Sequence, residues 1–159
     1  MSMKINFPEF RRRWFGHEGG YDTVLAVLRH RYADEKQHAA RFTQHAQKMH
    51  YPQFREALLR IASEELKHAA AIAEKIKELG GWLPAVVQIP VTEKNSWRYL
   101  LEDLEEERRC AAELEEEILR IEPDYRAVVE LLERIDGEER KHRDEIREMM
   151  MRSDPQGGA

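Results

Sequence analysis

The sequence predicts an all-α four-helix bundle made of two antiparallel hairpins joined by one long crossover. Three observations carry this. Four long stretches show helical periodicity, proline or glycine marks the breaks, and one longer segment between the second and third stretches has no periodicity. The length, 159 residues, is that of one ordinary domain with room for a core. Charged residues make up 36%, and Gly and Pro are confined to a few places, the balance of a long-helix protein.

Residues 1–20 form a lead segment. Asn6 is placed to cap a short helix with Pro8 in its first turn, so that Phe7, Phe10 and Trp14 share one face and serve packing against the bundle or a second chain. Gly16, Gly19 and Gly20 break it. The bundle occupies residues 21–152. Its first helix runs from about Asp22 to His50, and Pro52 marks the turn. The second runs from about Gln53 to Leu79 and stops at Gly80 and Gly81. Residues 82–95 hold Pro84, Pro90 and the apolar residues Ala85, Val86, Val87 and Ile89, and read as a linker. Asn95 or Ser96 restarts a helix that reaches about Ile121. After Pro123 the fourth helix runs to about Met151, and residues 153–159 read as a disordered tail. The tight turns make the first and last helix pairs antiparallel neighbours. Fully extended, the linker spans on the order of 45 Å. A 28-residue helix is about 42 Å long, so the linker can run the length of the bundle.

Composition excludes several classes. A net charge of −5 does not suit nucleic-acid binding, and the short run Arg11–Arg13 reads as a solvated face. A single cysteine, Cys110, permits neither an internal disulfide nor a Cys-x-x-Cys metal knuckle, and such usage suits a reducing cytoplasm. No apolar stretch has the length of an export signal or a membrane span.

Each helix carries an apolar stripe with steps of three and four. The stripes read Leu28, Tyr32, Ala39, Phe42, Ala46; then Leu58, Ile61, Ile72, Leu79; then Leu100, Leu104, Ala111, Leu114, Ile118; then Val128, Leu132, Ile135, Ile146, Met149. Every stripe is interrupted near its middle by ionisable residues: Glu35, Glu65 with His68, Glu107, and Glu139 with His142. A carboxylate in an apolar core costs several kcal/mol unless compensated. Four, one per helix, compensate each other or share an ion. Their heights agree. Glu35 lies 16 residues before Tyr51 and Glu65 lies 14 after it, while Glu107 and Glu139 each lie 16 from Pro123. The spacing therefore predicts one mid-bundle cluster of Glu35, Glu65, His68, Glu107, Glu139 and His142. Two divalent cations would neutralise its carboxylates, and the imidazoles shift the preference to iron, manganese or zinc. Glu105, Glu106 and Glu107 stand in a row, and the stripe selects Glu107, although aligning the hairpins by Pro52 and Pro123 favours Glu106. Glu64, Glu138, Glu105 and Glu106 flank the stripe and read as solvated, as does the run Glu115 to Glu117. His38 reads as a proton donor behind the ligands or an extra ligand, or more simply as a partly exposed helix histidine. Cys110 reads as a small buried residue.

The pattern resembles the ferritin-like superfamily, and within it the rubrerythrin-like and bacterioferritin-like di-iron carboxylate proteins. The carrying segments are EKQHAARF around Glu35, ERRCAAEL around Glu107, EELKHA with Glu65 and His68, and EERKH with Glu139 and His142. One Glu from each of two helices and Glu-x-x-His from each of the other two is the ligand scheme of that group. One turn after the helix-three ligand, where rubrerythrins carry a further Glu, this chain has Cys110; the counterpart on helix one is His38. The resemblance implies two iron ions and a di-iron oxidoreductase of ferroxidase or peroxidase type, reacting with O₂ or peroxide and drawing on an external electron donor. An iron-binding or iron-storage protein is the alternative, and a metal-free structural bundle a further one. A homodimer or small homo-oligomer is expected from the apolar face of the lead segment.

Overall fold

The computed structural model describes residues 20–156. The expected helix bearing Phe7, Phe10 and Trp14 lies outside the described residues. Among the described residues there are four α-helices: α1 (Tyr21–Lys48), α2 (Pro52–Glu78), α3 (Ser96–Ile118) and α4 (Arg126–Met151), with a 3-10 turn at Pro123–Tyr125 before α4.

The ends follow from local chemistry. Pro52 opens α2, where its missing N–H is not needed. At the other end Gly80 takes φ 75°, a left-handed conformation that favours glycine. Gly80 N–H then donates to Lys77 O and Gly81 N–H to Ile76 O, both at 2.8 Å, satisfying the last carbonyls in a Schellman arrangement. Asn95 caps α3 by accepting from Arg98 N–H at 2.9 Å. α3 stops at Ile118 rather than near Ile121, because Pro123 holds Glu122 in an extended conformation and the chain turns before it.

The crossover is tied to α1 along its length. Arg29 Nε donates to Trp82 O at 3.2 Å, Gln37 Nε2 to Val87 O at 3.4 Å and Gln44 Nε2 to Ile89 O at 3.4 Å. The contacts advance from the start of α1 to its end, where His50 N–H donates to Ser96 Oγ. α3 therefore starts beside the end of α1 and runs antiparallel to it. With α1 beside α2 and α3, and α4 beside α2 and α3, all neighbours are antiparallel. The first residues of the expected tail make contacts: Ser153 is buried, Asp154 N–H donates to Tyr51 Oη, and Pro155 O accepts from Asn95 Nδ2.

The core is two apolar halves. One gathers Phe42, Met49, Leu58, Ile61, Leu100 and Ile146. The other gathers Leu28, Ile72, Ile76, Leu114, Val128 and Leu132. The ionisable residues of the four stripes form the layer between them. No helix among the described residues is long and apolar enough to cross a membrane.

Candidate metal centre

The structure brings together all six residues expected from the stripes. Glu35 from α1, Glu65 and His68 from α2, Glu107 from α3, and Glu139 and His142 from α4 are all buried. Glu65 and Glu139 occupy the middle. His68 Nδ1 lies 3.0 Å from Glu139 Oε1, 3.3 Å from Glu35 Oε2 and 3.7 Å from Glu65 Oε2. His142 Nδ1 lies 3.0 Å from Glu65 Oε1 and 3.7 Å from Glu139 Oε1. The imidazole rings stack with centroids 6.0 Å apart. The halves differ at the ends. Glu35 joins Glu65, His68 and Glu139 in one tight group. Glu107 instead turns Oε1 to His38 Nδ1, at 3.1 Å.

The donor atoms are of the kinds that hold a metal ion. Glu35 Oε2, both oxygens of Glu65, Glu107 Oε1, Glu139 Oε1 and Nδ1 of both histidines are buried, and the 3.0–3.7 Å contacts that they make with one another and with His38 are not aligned as hydrogen bonds. Orphaned polar atoms at this density are costly unless something else takes them up. Ligands at about 2.0–2.2 Å from one ion, at right angles, stand about 3 Å apart, which is the spacing of the closest pairs here.

Electrostatics agree with a layer that lacks positive charge. Burial pushes the Glu35 carboxyl well above its ordinary range, against the His68 contact and with help from Glu65. Burial, then the neighbouring Glu139, pushes Glu107 up to about 8. Burial opposes charge on His68, yet Glu139, Glu35 and Glu65 raise it far above the usual imidazole range. Burial likewise opposes charge on His142, and Glu139 and Glu65 outweigh it, raising it to about 11. Without metal, the layer holds protons where a cation would sit.

The outer nitrogens of the two histidines are held reciprocally. His142 Nε2 donates to Glu64 Oε2 at 2.7 Å, and His68 Nε2 donates to Glu138 Oε2 at 2.8 Å. Each bond crosses between α2 and α4. This corrects the expectation that Glu64 and Glu138 are merely solvated: both are half-buried acceptors that fix the protons on Nε2 and leave Nδ1 facing the carboxylates. A sequence signal for them exists. Arg60–His68 and Arg134–His142 share Arg, Ile, Glu, Glu, Lys and His at the same offsets, so the doubled Glu recurs in both halves.

Around the layer, Glu106 stands at the rim, where Arg109, and next His38, hold its carboxylate far below the usual range. His38 is buried rather than partly exposed, with Nε2 3.4 Å from Cys110 Sγ. Cys110 is buried, and burial pushes its thiol up. Glu117 is not part of a solvent face: Arg31 Nε lies 2.8 Å and His30 Nδ1 2.7 Å from its carboxylate. A cavity of about 20 Å³, open to the centre of a water-sized molecule, adjoins Glu35, Glu107 and Glu139 and is closed by Cys110, Leu114 and Leu132.

Comparison with known proteins gives the same architecture. The family described as Ferritin-like domain matches residues 37–154. Among solved structures, a dodecameric thioferritin, the bacterioferritin-related protein from Bacteroides fragilis, superposes with a TM-score of 0.75 at 17% identity, over 84% of this chain and 88% of that one. Mycobacterium tuberculosis bacterioferritin superposes with a TM-score of 0.75 at 18% identity, over 85% of this chain and 87% of that one. No curated protein matches the sequence.

Proposed function

The chain belongs to the ferritin-like domain family, and we propose that it is a di-iron carboxylate protein whose buried layer oxidises iron or reduces O₂ or peroxide. The observation that carries the reading is the convergence of seven buried donor atoms, none in an aligned hydrogen bond, from six residues on four helices. Glu35 and His68 would hold one ion and Glu107 and His142 the other, with Glu65 and Glu139 within reach of both. Carboxylates with one imidazole per ion suit Fe(II), and manganese or zinc would enter the same donor set. Two ferrous ions side by side would supply two electrons to one oxidant molecule.

The chain's own groups do the rest. Glu64 and Glu138 hold the imidazoles so that Nδ1 faces inward. The apolar halves above and below keep bulk water from the layer. The adjoining cavity of about 20 Å³ has room for a water molecule or a small oxidant. It is far below the roughly 300 Å³ at which pockets for organic ligands begin, so the oxidant and not an organic molecule is the partner we assign. Electrons for repeated turnover come from outside the chain.

A second reading, iron storage, is favoured by the bacterioferritin likeness together with exposed apolar side chains on the crossover. Trp82, Val87 and Ile89 are 64%, 74% and 69% exposed, surface that a homo-oligomer would cover. Anaerobic loading with ferrous iron, followed by elemental analysis, tests the common premise: about two ions per chain are expected from two half-sites. One ion or none at saturation removes the di-iron reading. Continued oxidation of added ferrous iron by purified protein supports storage, whereas a single oxidation that stops without a reductant supports the oxidoreductase.

A further inference from the structure

We propose that His38, Glu106 and Cys110 form a third cation site, for a thiophilic divalent ion such as Zn(II), at the rim of the metal layer between α1 and α3. The three donors, His38 Nε2, a Glu106 oxygen and Cys110 Sγ, lie within 4.8 Å of one another. Glu106 and Cys110 are four residues apart on one face of α3, and His38 reaches them from α1. None of the six ligands expected for the layer belongs to this group.

The spacing is that of ligands on one ion. On a tetrahedral zinc, sulfur at about 2.3 Å and nitrogen at about 2.0–2.1 Å stand about 3.6 Å apart, and nitrogen and oxygen about 3.4 Å apart. His38 Nε2 lies 3.4 Å from Cys110 Sγ and 3.9 Å from Glu106 Oε1. The imidazole is oriented for the task. His38 is buried, and its other nitrogen, Nδ1, lies 3.1 Å from Glu107 Oε1. A metal-bound imidazole commonly hands its second N–H to a carboxylate, and Glu107 stands in that place. Asp34 Oδ2, 3.9 Å from Sγ on the α1 side, is within reach as a fourth ligand.

Charge and softness select the occupant. Arg109 is the guanidinium nearest the thiol, 3.3 Å from Sγ, and it is shared between Glu106 and Glu113. Arg31 and Arg41 have carboxylates of their own in Glu117 and Asp103. Glu106, Glu113 and a Cys110 thiolate against Arg109 therefore leave two negative charges, which one divalent ion neutralises. The Arg109 side chain is 45% exposed and can swing into water, and a carboxylate keeps free lone pairs beside a bound guanidinium. A thiolate with an imidazole favours zinc over the hard ions that carboxylates alone would hold. The thiol gives up its proton to solvent as the ion binds.

Titration of the metal-free full-length chain with Co(II), followed by absorbance, tests the site. A thiolate-to-cobalt charge-transfer band in the near ultraviolet can come only from Cys110, the single cysteine. The band should appear, saturate at one ion per chain and vanish when Zn(II) is added. Cys110→Ser should bind one ion fewer than the parent by elemental analysis, and His38→Gln should weaken the ion that gives the band about tenfold or more. Absence of the band at saturating Co(II) overturns the proposal. So does a band in the parent with an equal ion count in Cys110→Ser, which would make the thiol an extra ligand of the layer. So does a His38→Gln variant whose band titrates as the parent's does, and this result decides alone if Cys110→Ser does not fold. Failure of the di-iron reading looks different: the ion that gives the band would still bind, and the two ions without a band would be missing.

Discussion

Removing Glu64 or Glu138 tests whether the reciprocal bonds across α2 and α4 organise the metal layer. Each carboxylate accepts from the outer nitrogen of the histidine on the opposite helix, at 2.7 and 2.8 Å. Loss of such a partner typically lowers metal affinity about 10–100-fold. The side chains of Glu64 and Glu138 are 35% and 41% exposed, so water replaces part of what is removed and the lower end applies. Glu64→Ala and Glu138→Ala should each cost about tenfold, or roughly 1.4 kcal/mol, at the ion their histidine holds. Competition for Co(II) against a chromophoric chelator, at fixed pH, measures this. Glu64→Gln and Glu138→Gln keep an acceptor oxygen and should lose less. Glu105→Ala removes an exposed carboxylate on α3 and controls for the change in net charge. If Glu64→Ala and Glu138→Ala lose no more than Glu105→Ala, these bonds do not orient the ligands.

Glu107→Ala should lose most binding of the second ion while Glu106→Ala retains both, judged by metal content, because Glu107 is buried in the layer and Glu106 is paired with Arg109 at the rim. The reverse pattern would move the α3 ligand by one residue. Gly80→Ala should destabilise the fold by about 1–2 kcal/mol, since its φ of 75° is strained for any residue with a Cβ. Gly137→Ala, in the middle of α4 with nothing within 4 Å of an added Cβ, should stabilise it by about 0.5–1 kcal/mol. Chemical denaturation of the metal-free protein reads both glycine variants, and equal effects would refute the backbone argument.

The helices and the layer were legible because both are written in one periodicity. Glu35, Glu65, Glu107 and Glu139 fall where apolar residues should, and counting from Tyr51 and Pro123 places them level. What lies one step off the stripe was not legible. Glu64 and Glu138 point about 100° from Glu65 and Glu139, which on an isolated helix means solvent. They reach the histidines only because α2 and α4 lie side by side, a fact of how the hairpins dock. The same holds for Asp103, which stands beside a stripe leucine and collects Arg41 and His45 only once α1 lies against α3. Glu117 looked solvated within an acidic run until Arg31 and His30 of α1 met it. The depth of His38 follows from that same contact between α1 and α3. Periodicity along one helix fixes its inner face; partners between helices need the neighbours.

The charge carried by the layer yields the last prediction. Glu35, Glu65, Glu107 and Glu139 would together bear four negative charges in a space closed above and below by apolar side chains. In the metal-free protein, protons offset them. Burial raises Glu35 well above its ordinary range and Glu107 to about 8, while His68 is raised far above its ordinary range and His142 to about 11 despite burial. Each of these four folded-state values is raised, so each proton is held below it and lost as pH rises through it. At pH 7 Glu107, His68 and His142 therefore hold their protons, and the upward shift of Glu35 favours a proton there as well, so protons offset charge that divalent ions would otherwise balance. Binding two ions should therefore expel several protons per chain at pH 7, and affinity should rise with pH in the window approaching 8, where Glu107 gives up its proton unaided. Zn(II) added to weakly buffered protein with an indicator dye measures the release free of redox chemistry. Release of one proton or none at two bound ions would mean that the layer is not the binding site, or that its charge is balanced by something other than these four groups.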